Sequence, residues 1–365
     1  MTAKAMKVVI MAGGTGGHVF PALAVAEELR ARGAEISWLG TARGIEAELV
    51  PAADIPLHCL TIEGVRGKGL SALIKAPWLL LTAVWQARKI LKQEQVDAVL
   101  GLGGFASGPG GVAAWLLNKP LLIHEQNAVA GTTNRWLSKI ADLVMEAFPG
   151  SLPKAKHVGN PVRRSIAKIA PVAPKPDAPL KLLVLGGSLG ALALNELLPK
   201  GLSLLSGEQC PQVKHQTGKR HLALTTSTYK EQGVEAQVVD FIGDMAAAYE
   251  WADVVICRAG ALTVSELTLA GRAALLVPFP YAIDDHQTKN ASWLVENDAG
   301  VMHQQAELTA EMIADFLTAF NNDRESLLAV SSNARALAMP EAAKQVADYC
   351  EHAVGDNLSE AANGK

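Results

Sequence analysis

A doubly wound α/β fold in two similar halves is what this 365-residue chain predicts. Three observations carry the expectation. Short β-branched runs bounded by glycine or proline alternate with helical stretches along the whole length. The runs are apolar nearly throughout, as parallel strands covered on both faces are. Finally, "KVVIMAGGTGG" at Lys7 is echoed by "KLLVLGGSLGA" at Lys181, so that Gly13 and Gly186 stand 173 residues apart, close to half the chain.

The first half offers the strands "KVVIMA", "EISWLG", "DAVLGLG" and "KPLLIHE"; the second offers "KLLVLGG", "QVVDFIG", "ADVVICR" and "AALLVPF". Helices are expected over 19–30, 79–92 and 262–270, among others. With 49% apolar and 19% charged residues there is material for two buried cores. The economical reading is two Rossmann-like domains, 1–161 and 162–339, with a last helix over 340–354 packing back on the first. A Pro-rich stretch, "IAPVAPKPDAP" at 169–179, lies where a hinge belongs. The uncharged 21-residue run 98–118 is long enough to span a bilayer, but its six glycines and Pro109 make it a strand, a turn and a buried helix.

Net charge is −3, which argues against nucleic-acid binding through bulk positive charge. The four cysteines, Cys59, Cys210, Cys257 and Cys350, are far apart, as in a reduced cytosolic protein. The start, "MTAKAMKVVIMAGG", runs into glycine too soon for a signal peptide.

Glycine-rich turns follow strands at 13–17, 101–111 and 186–190. The first fails the dinucleotide fingerprint, since Val19 stands where the last glycine would be and "SWLGTARG" lacks the acidic residue for a ribose. No P-loop lysine is present. Glycine still lets backbone N–H groups approach an anion at a helix start, although a tight turn without a ligand explains any one of them. Three such turns at strand ends suit one crevice holding a large diphosphate substrate. His18, at a helix start, is kept neutral by the dipole and can accept a proton; a plain helix cap is the bland alternative. In "CRAGALTVSEL", 257–267, a carboxylate at Glu266 can hold two ribose hydroxyls, or serve as a helix N-terminal charge. "FPYAIDDHQTKNA" sets Asp285, His286 and Gln287 at a further helix start, and no Asp-x-Asp occurs, so no metal site is indicated.

Together, "GGTGGHVFPALAVA", "GLGGFASGPG", "HEQNAVAG", "VGNPVR", "GGSLGA" and "CRAGALTVSELTLAG" resemble the MurG family of bacterial peptidoglycan enzymes, in order and over nearly the whole chain. The resemblance implies a GT-B architecture, two Rossmann-like domains facing a central cleft. It implies an inverting, metal-independent transfer of N-acetylglucosamine (GlcNAc) from UDP-GlcNAc, without a cofactor. The acceptor is the C4 hydroxyl of the N-acetylmuramoyl sugar (MurNAc) of lipid I, an undecaprenyl-diphosphate-linked MurNAc-pentapeptide, and the product is lipid II. The enzyme would sit on the cytoplasmic face of the inner membrane.

Carried over by motif, Glu266 would hold the uridine ribose, with Ile242 and Ala261 against the uracil. Leu262, Thr263, Val264 and Ser265 would supply N–H and hydroxyl groups to the nucleotide. Arg163 and Ser188 would address the diphosphate, and Gln287 and Asn127 the sugar; His286 competes with Gln287, whose amide both donates and accepts. Thr15, Gly16 and Gly17 with His18 would floor the acceptor side. His124, Glu125 and Asn195 stand near the reacting centre, with His18 expected as the base and Glu125 behind it. Phe105 replaces a tyrosine common in relatives and Leu189 a glutamine seen in some.

From residue 62 to 92 the chain carries Arg66, Lys68, Lys75, Arg88, Lys89 and Lys92 against Glu63 alone. Trp78, Leu81 and Trp85 recur at helical spacing after Ile74. That stripe is either the core face of a long helix or a peripheral contact with an anionic membrane surface, and the uncharged run with flanking cations favours the second. A UDP-GlcNAc 2-epimerase would share fold and donor without a lipid acceptor, and a nucleotide-binding regulator would keep Glu266 without the acceptor-side histidine. Oligomeric state is not addressed by the sequence.

Overall fold

The computed structural model describes residues 5–62, 70–173, 178–187 and 190–362, with the backbone alone for 70–75, 208, 283 and 356–362. It forms two compact units: unit 1 is Met1–Arg163 with Pro340–Lys365, and unit 2 is Arg164–Met339. Arg163 thus belongs with the first unit, two residues beyond the expected boundary.

Unit 1 runs β1 (Lys7–Ala12), α1 (Gly16–Ala31), β2 (Glu35–Gly40), α2 (Glu46–Ala52), β3 (Leu57–Cys59) and α3 (Leu70–Gln93). It continues through β4 (Ala98–Gly103), α4 (Ser107–Leu116), β5 (Leu121–Glu125), α5 (Thr132–Leu137), β6 (Leu143–Glu146) and β7 (Lys156–His157). The seven strands are parallel in the order β3-β2-β1-β4-β5-β6-β7. β1 shows why such strands are apolar at every position. Val8, Ile10 and Ala12 face a core shared with α1, whereas Val9 and Met11 face another that includes Ala87 and Leu91 of α3 and Ala113 of α4.

Unit 2 opens with α6 (Arg164–Ala167), β8 (Lys181–Leu185), α7 (Leu192–Ser203), β9 (Gln212–Gln216), α8 (Leu222–Glu231), β10 (Gln237–Val239) and α9 (Met245–Trp251). There follow β11 (Val254–Cys257), α10 (Ala261–Ala270), β12 (Ala273–Leu276), α11 (His286–Val295), β13 (Val301–Met302), α12 (Ala310–Asn322) and α13 (Arg324–Ala336). Its six parallel strands are ordered β10-β9-β8-β11-β12-β13. The order turns back between β1 and β4 in one sheet and between β8 and β11 in the other, where ligands of doubly wound folds bind.

The last helix, α14 (Ala342–Ala362), buries Val346, Ala347, Cys350 and Val354 in the α1 face of unit 1. Arg32, just past α1, donates to Asp348 at 2.6 Å and Glu351 at 2.9 Å, largely exposed pairs that orient the helix more than they stabilise it.

Several expectations need correction. The Pro-rich stretch lies inside unit 2, where Arg335 donates to Ile169 O at 2.9 Å and Arg272 to Ala170 O at 3.3 Å. α3 runs through Pro77 from Leu70 instead of starting after it, because Pro77 is exposed and the carbonyl it leaves unbonded can be hydrated. The strand expected over "QVVDFIG" stops at Val239, since Asp240 Oδ1 accepts from Phe241 N at 2.8 Å and turns the chain.

α4 lies close on the sheet because of Gly110. A Cβ there would collide with Met11 Sδ and stand 2.8 Å from Leu39 Cδ2. Gly110→Ala is expected to destabilise unit 1 by about 1–3 kcal/mol, seen as a lowered thermal midpoint; an unchanged midpoint would mean that α4 can lift without loss.

Candidate functional site

At the β1/β4 reversal two glycine loops touch backbone to backbone. A Cβ on Gly104, whose φ is +89°, would stand 2.6 Å from Gly13 O and 2.8 Å from Gly13 N. Ser107 Oγ, 3.0 Å from Met11 O and 2.8 Å from Gly103 O, ties the two strand ends, and Trp38 Nε1 donates to Ala12 O at 2.8 Å. α1 begins at Gly16, so His18 is its third residue rather than its start. The ring lies over Gly103, whose Cβ would be 2.9 Å from Cδ2, and Nδ1 is 3.2 Å from Gly13 O. A carbonyl can only accept, so Nδ1 carries the hydrogen in this bond and the neutral ring's lone pair is on Nε2. Thr15, the N-cap, is exposed and its hydroxyl makes no cap bond, while Gly16 and Gly17 give the first-turn N–H groups. The Arg163 guanidinium stacks 4.7 Å from the Phe20 ring of α1. Phe105 is exposed beside these loops.

The next strand end is organised differently. Glu125 is buried at the end of β5. Its Oε1 accepts from Asn127 N at 2.9 Å and Asn127 Nδ2 at 3.3 Å, and its Oε2 accepts from Gly131 N at 3.1 Å and Asn134 Nδ2 at 2.9 Å. Those donors shape the loop after β5. The structure overturns Glu125 as a second base, because its lone pairs are engaged inside the protein. Asn127 survives as a loop residue whose amide nitrogen turns back onto that carboxylate. His124 is corrected too: Nε2 donates to Gly159 O at 2.8 Å, Nδ1 accepts from Gln126 Nε2 at 3.0 Å, and burial lowers its pKa to about 4.

In unit 2 the glycine turn after β8 again packs on backbone. A Cβ on Gly190, at φ +77°, would collide with Thr217 O. Ser188 and Leu189 lie outside the described residues. Asn195, expected near the reacting centre, is instead buried: Nδ2 donates to Thr217 O at 3.1 Å and Oδ1 accepts from His215 Nε2 at 3.0 Å. His215 Nδ1 accepts from Tyr229 OH at 2.9 Å, and burial lowers this histidine to about 3, so it is neutral. These residues support the turn from beneath.

α10 starts after Gly260. Val264 N already donates to Gly260 O at 2.9 Å and Ser265 Oγ to Ala261 O at 3.0 Å, so those two expected donors serve the helix. Leu262 and Thr263 lie in the first turn, where N–H groups have no intrahelical acceptor. Glu266 follows, half-buried, with Tyr249 OH donating to its Oε2 at 3.0 Å. Burial and the neighbouring carboxylate push the Tyr249 phenol well above its ordinary range, so it stays a donor and fixes the carboxylate's orientation. Ile242 lies half-buried in the turn after β10, and Ala261 is buried. Gln287 Oε1 accepts from Phe279 N at 2.9 Å, which fixes the side-chain amide and leaves its nitrogen as donor. His286, half-buried, opens α11 after Asp284 and Asp285, whose φ values are 54° and 50°. Arg258 donates to Val277 O and Pro278 O, and Asn290 to Ala259 O, joining the strand ends below α10 and α11.

Glu46, Tyr249, Arg258, Asn290 and Trp115 were not singled out by sequence reasoning. Two of them lay in motifs that could have marked them: Arg258 inside "CRAGALTVSEL" and Asn290 inside "FPYAIDDHQTKNA".

On the outside of unit 1, α3 buries Ala83, Ala87 and Leu91, while Trp78, Leu81 and Trp85 are 75, 62 and 63% exposed. The stripe is therefore not a core face. α3 packs on α4 and α4 on α5, and these add the exposed Trp115, Leu116 and Trp136. Lys89 Nζ is 5.9 Å from the Trp85 ring and Lys139 Nζ is 4.2 Å from that of Trp136. Lys68 lies outside the described residues, as do the side chains of Ile74 and Lys75. No helix among the described residues is long and apolar enough to cross a membrane.

Comparison with known proteins agrees with this organisation. Residues 8–146 match the glycosyltransferase family 28 N-terminal domain and 181–346 its C-terminal domain. A relative from Cellvibrio japonicus, named UDP-N-acetylglucosamine–N-acetylmuramyl-(pentapeptide) pyrophosphoryl-undecaprenol N-acetylglucosamine transferase, is 58% identical over 95% of this chain and 98% of its own. A Pseudomonas aeruginosa protein of the same name is 53% identical over 94% and 97%. Acinetobacter baumannii MurG superposes with a TM-score of 0.83 at 44% identity, covering 95% of this chain and 99% of that one. The calicheamicin glycosyltransferase CalG4, at 16% identity and a TM-score of 0.69, shares the fold. With both family 28 domains in order and such relatives matched end to end, the chain belongs to the MurG family of glycosyltransferases.

Proposed function

We propose that this enzyme transfers GlcNAc from UDP-GlcNAc to the C4 hydroxyl of the MurNAc of lipid I, with inversion, forming lipid II for peptidoglycan. The observation that carries this reading is the end-to-end match to transferases named for that donor and that acceptor. Unit 2 residues take the donor: Glu266, steadied by Tyr249, receives the ribose hydroxyls, and the first-turn N–H groups of α10 receive the nucleotide. Gln287 donates from its amide nitrogen to the sugar. Unit 1 supplies the acceptor side and the base. His18 Nε2 removes the proton of the C4 hydroxyl as that oxygen bonds to C1 of GlcNAc. The bond from C1 to the β-phosphate oxygen breaks and UDP leaves. The α1 N-terminus disfavours an imidazolium in the resting enzyme, so the base is ready before the acceptor binds. The enzyme works at the cytoplasmic face of the inner membrane, held peripherally by the exposed tryptophans of α3 and the cations beside them.

The direct test is incubation with UDP-GlcNAc and a lipid I analogue, scored by disaccharide product; UDP-GlcNAc consumed without one would favour an epimerase. In that assay Glu266→Ala should lose about 2–3 kcal/mol of donor binding, raising the Michaelis constant about 30- to 160-fold. A donor constant like wild type would remove Glu266 from the ribose site. His18→Ala should lower kcat by about 10²–10⁴ with little change in donor binding. A drop of less than about tenfold would make His18 a helix residue only. For the surface, co-sedimentation with anionic vesicles should be lost in Trp78→Ser/Trp85→Ser while the thermal midpoint and UDP-GlcNAc affinity hold, because both side chains are exposed. Undiminished vesicle binding would move the contact away from α3.

A further inference from the structure

Glu46 opens α2 and is fully buried, and the transfer chemistry above makes no use of it. Its Oε1 accepts from Thr41 N at 3.1 Å and Thr41 Oγ1 at 2.7 Å; its Oε2 accepts from Gly14 N at 2.9 Å. Glycines close around it. A Cβ on Gly13 would stand 2.5 Å from Oε1, one on Gly40 2.9 Å from Cγ, and one on Gly44 would overlap Oε2. A buried carboxylate is expensive without such donors, and a neutral apolar side chain would fill the same space without them.

The peptide it binds explains why an acid stands there. Gly14 N–H and Gly13 C=O belong to one peptide group, and that carbonyl accepts from His18 Nδ1 at 3.2 Å. Carboxylate, peptide and imidazole therefore form one series of hydrogen bonds. Drawing on the N–H side of an amide makes its oxygen a better acceptor, so the two bonds reinforce each other. A stronger pull at Nδ1–H favours the tautomer with its lone pair on Nε2.

We propose that Glu46 is a positioning residue that acts through the Gly13–Gly14 peptide to hold His18 in the Nδ1–H tautomer, with Nε2 presented as the proton acceptor. The proposal rests on the reading of His18 as the base.

The test reads the ring nitrogens of His18 by ¹⁵N NMR in the free enzyme, alongside steady-state kinetics. Wild type should show Nδ1 protonated. Glu46→Gln keeps the shape but turns one accepting oxygen into a donor. It should move the ring toward the Nε2–H tautomer and lower kcat about tenfold or more, leaving the Michaelis constant for UDP-GlcNAc within about twofold. Glu46→Asp, which withdraws the oxygens by one methylene, should shift both in the same direction by less. A merely structural glutamate would not move the tautomer. An Nε2–H ring in wild type overturns the proposal, and so do wild-type ring shifts in a folded Glu46→Gln. Should thermal melting show Glu46→Gln unfolded, Glu46→Asp decides: wild-type ring shifts and kcat overturn the link, and a shifted tautomer with reduced kcat supports it. The two readings fail separately. Retained turnover in His18→Ala removes the base but leaves the ring nitrogens to report on Glu46, whereas unmoved ring nitrogens remove Glu46 and leave the base untouched.

Discussion

Where the strand order of unit 1 turns back, neighbouring parallel strands release their loops side by side, and between Gly13 and Gly104 there is no room for a side chain. This backbone-on-backbone contact governs the local structure. It demands glycine with positive φ at 103 and 104, and it brings peptide groups rather than side chains to the rim. The ring of His18 settles over the space Gly103 leaves empty. Ser107 and Trp38 then satisfy strand-end carbonyls that the crossing withdraws from solvent. A residue with a Cβ at 104 would lift one loop off the other and carry the histidine's surroundings with it.

Unit 2 repeats the turn and supports it with different chemistry. Beneath Gly190 stands a neutral series, Tyr229 to His215 to Asn195 to the Thr217 carbonyl, whereas beneath Gly13 stands a carboxylic side chain. The difference suits what each loop is proposed to face. A diphosphate is ill served by a buried anion below its binding loop, while a histidine that must gain a proton is helped by one. Equivalent backbone turns have thus been set on supports of different charge, and the proposed division between a donor half and an acceptor half rests on those supports more than on the glycines.

Much of this was legible in the sequence. Central strands such as β1 and β8 were readable because burial on both faces leaves no polar position to interrupt them, whereas the interior strands β6 (LVME) and β9 (QVKHQ) carry polar residues and were not read. The short edge strands β3, β7 and β13 were not, because two or three residues paired on one side carry no pattern. Glycine announced the turns after β1, β4, β8 and β11, since only backbone conformation was at issue there, but not the glycine-free loop before α11. What holds the loops was hidden. Glu46 lies 32 residues from Gly14, and Tyr249 lies 17 from Glu266, so their roles exist only after folding. "HEQNAVAG" misled for a related reason. A run of polar residues at a strand end looks the same whether it turns outward to a ligand or inward to its own loop, and His124 and Glu125 turn inward.

The outward tryptophans of α3 are the remaining departure from what folding alone would select. Ala83, Ala87 and Leu91 are the buried residues of the helix, and the described residues of unit 1 leave Trp78, Leu81 and Trp85 exposed. Left in water they are a liability for association between copies. Covered by lipid, each returns about 1.5–3 kcal/mol, and each nearby cation adds about 1 kcal/mol against an anionic leaflet. Such a sum holds a protein at a surface reversibly, well short of the permanence of a spanning helix. An enzyme whose acceptor is confined to the bilayer and whose donor is dissolved in water needs that intermediate strength. Binding that was too weak would lose the acceptor, and a permanent anchor is unnecessary when the acceptor's own lipid already supplies one.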